Sequence, residues 1–130
     1  MITNPEMIAV LVLFQIKHFI GDYLWQTDWM LANKGRYGHP GGLVHAGVHG
    51  ALSAPILIWA GVPIGLAVML ALAEAAVHYH IDWAKARAVR RRDLDAGQTA
   101  SWRYLGVDQG VDQGAHQVTY VALFAAALYL

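Results

Sequence analysis

The chain has 130 residues, 57% of them hydrophobic and 14% charged, with nine basic residues balanced by nine acidic ones. About a quarter of a soluble domain is charged because its surface must be wetted, so this composition argues against a soluble globular chain. The balanced charge excludes a nucleic-acid binder that works through its overall field, and the absence of cysteine excludes disulfides and thiolate metal sites.

The first apolar stretch, Met7 to Phe14, lacks the basic flank and small-residue cleavage site of a signal peptide, and it runs directly into Gln15, Lys17 and His18. It reads as a retained first helix, about residues 5–31, with Pro5 in the first turn. Trp25 to Trp29 would lie at a membrane interface, where an indole carries its N–H into the headgroups. The polar loop Asn33 to Gly42 leads to a second helix, about 43–60. Gly61-Val62-Pro63 then forms a turn, and a third helix, about 63–88, continues past Asp82 into a basic segment. A basic loop, about 85–107, precedes a fourth helix, about 108–130.

Residues 51–73 contain no charge, and this run exceeds the ~20 residues that cross a bilayer core. Read as one span, it would leave three crossings with His45 and His49 outside them. Pro55, Gly61 and Pro63 favour two spans instead. The expected fold is all-α: a single transmembrane domain over residues 1–130, built as a four-helix transmembrane bundle. Basic residues orient it. Lys34 and Arg36 lie in the first loop, and Lys85, Arg87, Arg90, Arg91, Arg92 and Arg103 lie in or beside the third. The Gly61 turn and both ends have none, so those loops face the cytoplasm and both termini lie on the outer side.

Ionisable residues inside membrane spans are costly and are functional candidates by default. Each helix carries one pair at i,i+4 spacing: His18 and Asp22, His45 and His49, His78 and Asp82, Asp112 and His116. This spacing puts both members on one helix face, one turn apart. Counted from the cytoplasmic ends, Asp22, His45, Asp82 and Asp112 form a shallower layer, and His18, His49, His78 and His116 a deeper one. Eight such groups offer ligands for one or two divalent transition-metal ions in the bundle core, with Zn, Mn and Fe suited to mixed imidazole and carboxylate. Haem needs only two axial histidines and does not account for the carboxylates. A lone intramembrane His is more often a helix–helix hydrogen-bonding residue; for all eight together, a proton relay or a structural polar network is the alternative that ranks behind metal.

Around these, Gln26 lies one turn beyond Asp22, Glu74 one turn before His78, and Asp108 shares the face of Asp112 and His116. Gln109 and Gln113 follow the two Asp residues in a local duplication, Asp-Gln-Gly. Glu74 is the candidate general base. Lys85 and Arg87 read first as helix anchors and second as attractors of a phosphate-bearing headgroup. Gly47 and Gly50 would allow close helix contact. His39, in a loop, and His80, on another face from His78, are set aside.

The segments His18-Phe19-Ile20-Gly21-Asp22-Tyr23-Leu24-Trp25-Gln26-Thr27-Asp28-Trp29, His45-Ala46-Gly47-Val48-His49-Gly50, His78-Tyr79-His80-Ile81-Asp82-Trp83-Ala84-Lys85 and Asp112-Gln113-Gly114-Ala115-His116 occur in this order. In them the chain resembles the small bacterial and phage membrane proteins catalogued as domain-of-unknown-function 3307. That resemblance implies a multi-pass protein of the bacterial cytoplasmic (inner) membrane, and motif residues that include Gln26, Asp28 and Lys85. It supplies no activity.

The leading expectation is a membrane-embedded metal-dependent hydrolase acting on a lipid or lipid-linked substrate at the cytoplasmic leaflet. A divalent-metal or proton transporter or channel is the second reading. The third is a non-catalytic adaptor stapled by metal, whose loops contact a cytoplasmic protein partner. A homo-oligomer fits all three, and membrane lipid is the expected surrounding.

Overall fold

The computed structural model describes residues 4–91 and 99–129. All regular structure in them is helical: α1 (Asn4–Phe19), a π-helical turn (Ile20–Leu24), α2 (Asp28–Asn33), α3 (Pro40–Trp59), α4 (Ile64–Arg91) and α5 (Thr99–Tyr129). Neighbouring helices close a ring in which α1 packs on α3, α3 on α4, α4 on α5, and α5 back on α1, while the short α2 packs against α3.

Three segments are long and apolar enough to cross a membrane: Glu6–Leu24, Pro40–Trp59 and Ile64–Arg90. α5 is not among these three, because Asp108, Gln109, Asp112 and Gln113 interrupt its first half. The distribution of side chains is that of a membrane protein. Large apolar residues face outward, including Ile8, Val12, Ile16, Met69, Leu72, Val118 and Val121, whereas Lys17, His18, His45, His49, Glu74, His78, Asp82, Asp112 and His116 are buried. In lipid the outward faces need no wetting, and polar groups satisfy one another inside.

The bundle has two halves. Towards the Gly61 turn the core is apolar, formed by Val10, Phe14, Leu57, Val62, Ala67, Leu70, Tyr120, Leu123 and Phe124. Phe14 and Tyr120 stack there with ring centroids 5.3 Å apart. Towards the α2 end the core holds the polar residues. Gly61 has φ of +84° and terminates α3 in the left-handed region that glycine adopts freely, so residues 51–73 form two helices rather than one span.

Several boundaries differ from the sequence reading. The first helix stops short of residue 31: the π-helical turn ends at Leu24, and a new helix begins at Asp28. Thr27 has extended backbone and its side chain accepts a hydrogen bond from Met30 N at 3.3 Å, a cap that starts α2. α3 starts at Pro40, three residues earlier than expected, because His39 caps it by accepting from Gly41 N at 3.0 Å and proline suits the first turn. α5 begins at Thr99, so part of the expected third loop is helical. Gly50 provides the expected close helix contact, since a Cβ there would stand 2.7 Å from the Ala71 carbonyl oxygen. Gly47 does not, having nothing within 4 Å of its Cβ position.

Candidate metal centre

Local structure aims the polar side chains. The π-helical turn carries Asp22, and widened turns of this kind re-aim a side chain at functional sites. Beside it, Gly21 is buried against the His49 ring; a Cβ at this position would stand 2.5 Å from both Cε1 and Nε2 of His49. The missing side chain at residue 21 therefore gives the His49 imidazole its place. On α3 and α4 the i,i+4 spacing alone directs His45, His49, His78 and Asp82 inward, and all four are buried.

Asp22 lies at the centre. Its Oδ1 is 3.1 Å from His49 Nε2, 3.3 Å from His45 Nε2 and 4.0 Å from His78 Nε2. Its Oδ2 is 3.1 Å from His18 Nε2. Asp82 Oδ2 is 3.0 Å from His45 Nε2 and 3.7 Å from His78 Nε2, and these two nitrogens are 3.3 Å apart. The deeper imidazoles lie against one another: His49 and His78 stack at 3.7 Å between centroids, His78 and His116 at 4.1 Å, and His18 lies 5.0 Å from His116.

Three sets of ligand atoms are each close enough to share an ion: Asp22, His45, His49 and His78; His18, His78 and His116; and Asp82, Asp112 and His116. The first and third have no residue in common. The donor chemistry fits a divalent cation on three grounds. A tetrahedral site with metal–nitrogen bonds of about 2.0–2.1 Å has ligand–ligand edges of about 3.3–3.4 Å, close to the 3.1 and 3.3 Å of three pairs in the first set, with the His78–Asp22 edge longer at 4.0 Å. His45 Nε2 carries at most one hydrogen but faces two carboxylate oxygens and another ring nitrogen. Finally, Asp112 Oδ1 and both nitrogens of His116 are buried without a hydrogen-bond partner among the described residues, and an ion would take the oxygen and one of those nitrogens; the Nδ1 atoms of His45, His49 and His78 are likewise unpartnered and would stay so with an ion at their Nε2 atoms.

All eight residues expected as ligands thus come together. Of the residues expected around them, Gln26 donates from Nε2 to the Asp22 carbonyl at 3.0 Å, and Gln113 Oε1 lies 2.8 Å from His18 Nε2. Lys85 donates to Asp112 Oδ2 at 2.8 Å and to Gln109 Oε1 at 2.6 Å. Asp28 is exposed in the first turn of α2, outside the polar group. The Asp108 side chain lies outside the described residues. Glu74 forms a buried ion pair with Lys17.

Three contributors escape a reading of i,i+4 pairs. Tyr120 OH is 2.6 Å from His18 Nδ1 and sits one turn beyond His116 on the same face, a signal that could have found it. Lys34, in the first loop, donates to Asp82 Oδ2 at 3.2 Å and to Gln26 Oε1 at 2.9 Å. Lys17 reaches the His49 carbonyl at 3.5 Å and lies 4.3 Å from the Tyr120 ring centroid.

A cavity of about 280 Å³ adjoins the group at the α2 end, lined by Asp22, Gln26, Lys34, Lys85, Gln109 and Asp112. The apolar spans and the buried His/Asp cluster together define a membrane protein with a polar core that could hold a metal ion. A family model described as "Protein of unknown function (DUF3307)" matches residues 10–129, and the chain belongs to that family. No curated protein and no solved structure matches it.

Proposed function

We propose that this chain is a membrane-embedded metal-dependent hydrolase of the bacterial cytoplasmic membrane, with α1, α3, α4 and α5 all crossing and both termini on the outer side. The observation that carries the reading is the convergence of Asp22, His45, His49 and His78 at separations close to the edges of a metal polyhedron. Those four would hold one ion, of Zn, Mn or Fe. Asp82, Asp112 and His116 would offer a second, three-ligand position. A bound dication activates water and polarises an ester centre. The reaction is hydrolysis of a lipid or lipid-linked ester, in which water supplies its hydroxyl to the acyl or phosphoryl centre and a proton to the departing alcohol.

The chain's own residues divide the remaining work. Tyr120 and Gln113 hold the His18 ring from its two nitrogens, and orienting contacts of this kind tune a site. The cavity beside Asp22 and Asp112 gives substrate access from the end that carries Lys34 and Lys85. Transport fits less well, because the core towards the Gly61 turn is apolar among the described residues and offers an ion no continuous polar path.

Purified protein in mild detergent, analysed for bound metals by mass spectrometry beside His49→Ala and Asp82→Asn, tests the reading. About one or two equivalents of a transition metal, lost in both variants, is the expected result, followed by metal-dependent cleavage of lipid esters or phosphates. Well-folded protein that takes up no metal would sink it. Metal or proton flux through liposomes, without hydrolysis, would replace it with transport.

A further inference from the structure

The cavity beside the metal centre is walled by two matching polar arrangements. On one side Lys34 bonds Gln26 Oε1 at 2.9 Å and Asp82 Oδ2 at 3.2 Å. On the other, Lys85 bonds Gln109 Oε1 at 2.6 Å and Asp112 Oδ2 at 2.8 Å. Each ammonium is held by one neutral amide and one carboxylate, and that carboxylate belongs to a candidate metal-binding set. Neither lysine is a free surface anchor; their side chains retain only 12% and 23% of their exposure.

Charge decides what the cavity accepts. Three carboxylates, Asp22, Asp82 and Asp112, face two ammonium groups, Lys34 and Lys85. With the neighbouring imidazoles neutral and no metal bound, these five groups sum to one negative charge and repel anions. One dication makes the sum positive by one, and two make it positive by three. Each ammonium has three N–H donors, of which the glutamine amide and the carboxylate take two, so one remains for a ligand in the cavity.

We propose that this cavity is a phosphate-monoester subsite, in which Lys34 and Lys85 bind the oxygens of a terminal phosphate and present it to the metal centre. The inference rests on the metal-centre reading above. Three cationic points around one cavity match a tetrahedral dianion with three free oxygens better than a planar carboxylate with two, and ammonium groups bind phosphate as point charges. Tyr23 and Leu31, both largely exposed, line the same cavity. They leave an apolar exit for the chains of a phosphate-bearing lipid headgroup, while inorganic phosphate would use the polar wall alone.

The test is calorimetric titration of the full chain in dodecyl maltoside, with metal content measured on every sample. Metal-loaded wild type is expected to bind inorganic phosphate, and chelator-treated protein to bind none. Lys34→Gln and Lys85→Gln should each weaken phosphate binding about ten-fold or more, the loss typical of one charge-assisted hydrogen bond, with metal content retained. Lys85→Arg should restore most of it, which separates lost charge from lost fold. Dioctanoyl phosphatidic acid binding at least ten-fold more tightly than inorganic phosphate, with dioctanoylglycerol not binding, identifies a lipid phosphate. Equal affinity identifies the free anion. Metal-loaded protein that ignores phosphate, or that binds it equally well after both lysine substitutions, overturns this proposal and leaves the metal centre standing. Protein that takes up no metal overturns both.

Discussion

The Lys17–Glu74 pair decides between two roles for Glu74. Both residues are almost completely buried, at 3% and 1% exposure, and they join α1 to α4. Lys17 also reaches the His49 carbonyl on α3 and the Tyr120 ring on α5, so one ammonium touches all three other helices of the ring. Removing one partner of a buried pair typically costs about 3–5 kcal/mol, because the other charge is left unpaired. A lysine at the centre of a membrane helix costs about 2.5–3.5 kcal/mol by insertion scales. Alternative partners in the unfolded membrane state reduce such costs, which places Lys17→Met and Glu74→Leu at about 3 kcal/mol each. Their combination should return to within about 1 kcal/mol of wild type, since an apolar pair of similar volume substitutes well for a buried ion pair. Reversible unfolding of the full chain in mixed detergent micelles, followed by the fluorescence of its five tryptophans, measures all four corners of the cycle. Additive losses, about 6 kcal/mol in the double variant, would refute the ion-pair reasoning. So would a Glu74→Gln protein of unchanged stability and metal content that has lost all hydrolytic activity, since Glu74 would then be the general base.

Other perturbations reach the centre from its edges. Gly21→Ala places a Cβ 2.5 Å from two atoms of the His49 ring; the ring must move, and metal affinity is expected to fall at least ten-fold while circular dichroism remains helical. Tyr120→Phe removes the 2.6 Å contact at His18 Nδ1 and should weaken metal binding about 10–100-fold, the usual consequence of losing a group that orients a ligand; unchanged affinity, measured by competition with a chelator, would place His18 outside the centre. Topology is open to single-cysteine labelling because the chain has no cysteine of its own. With an impermeant maleimide on whole cells, Pro63→Cys should label directly and Arg36→Cys only after lysis; the reverse pattern would invert the orientation.

The grouping of the candidate residues was legible in the sequence where helical periodicity holds. His45 and His49, or His78 and Asp82, share a face wherever their helix begins, so errors of several residues in the boundaries did not disturb them; the π-helical turn breaks that period between His18 and Asp22, which still meet at 3.1 Å. Boundaries themselves depend on local competition. Thr27-Asp28 is a capping signal as well as part of an aromatic interfacial stretch, and the cap won, dividing the expected first helix. The π-helical turn at Ile20–Leu24 has no sequence signature that a 3.6-residue period would detect, although Gly21 beside Asp22 marks a close approach in retrospect. Lys34 and Lys17 were hidden for different reasons. A loop lysine counts towards orientation by its charge, and only tertiary structure brings Lys34 to Asp82. Lys17 sits one residue before His18, on a face that matters only because Glu74 arrives from α4.

The arrangement of the core bears on why these residues are together at all. A bundle this small could be held by apolar packing throughout, as its half towards the Gly61 turn is. The other half instead gathers five buried imidazoles and three carboxylates, of which Asp82 and Asp112 are buried and Asp22 partly so, joined at the rim by two lysines. Hydrogen bonding within the group does not satisfy it: His45 Nε2 faces more acceptors than it has hydrogens, and His116 has no partner at either nitrogen among the described residues. Buried polar groups left in this state cost about 1–3 kcal/mol each, a penalty that a purely structural network would avoid with one fewer histidine or one more donor. A cation held by Asp22, His45, His49 and His78 would relieve the crowding at His45 Nε2, and a second at Asp82, Asp112 and His116 would take one nitrogen of His116. On the reading proposed above, a bound ion would also reverse the charge of the cavity beside Lys34 and Lys85, so that metal binding would precede the admission of an anionic substrate.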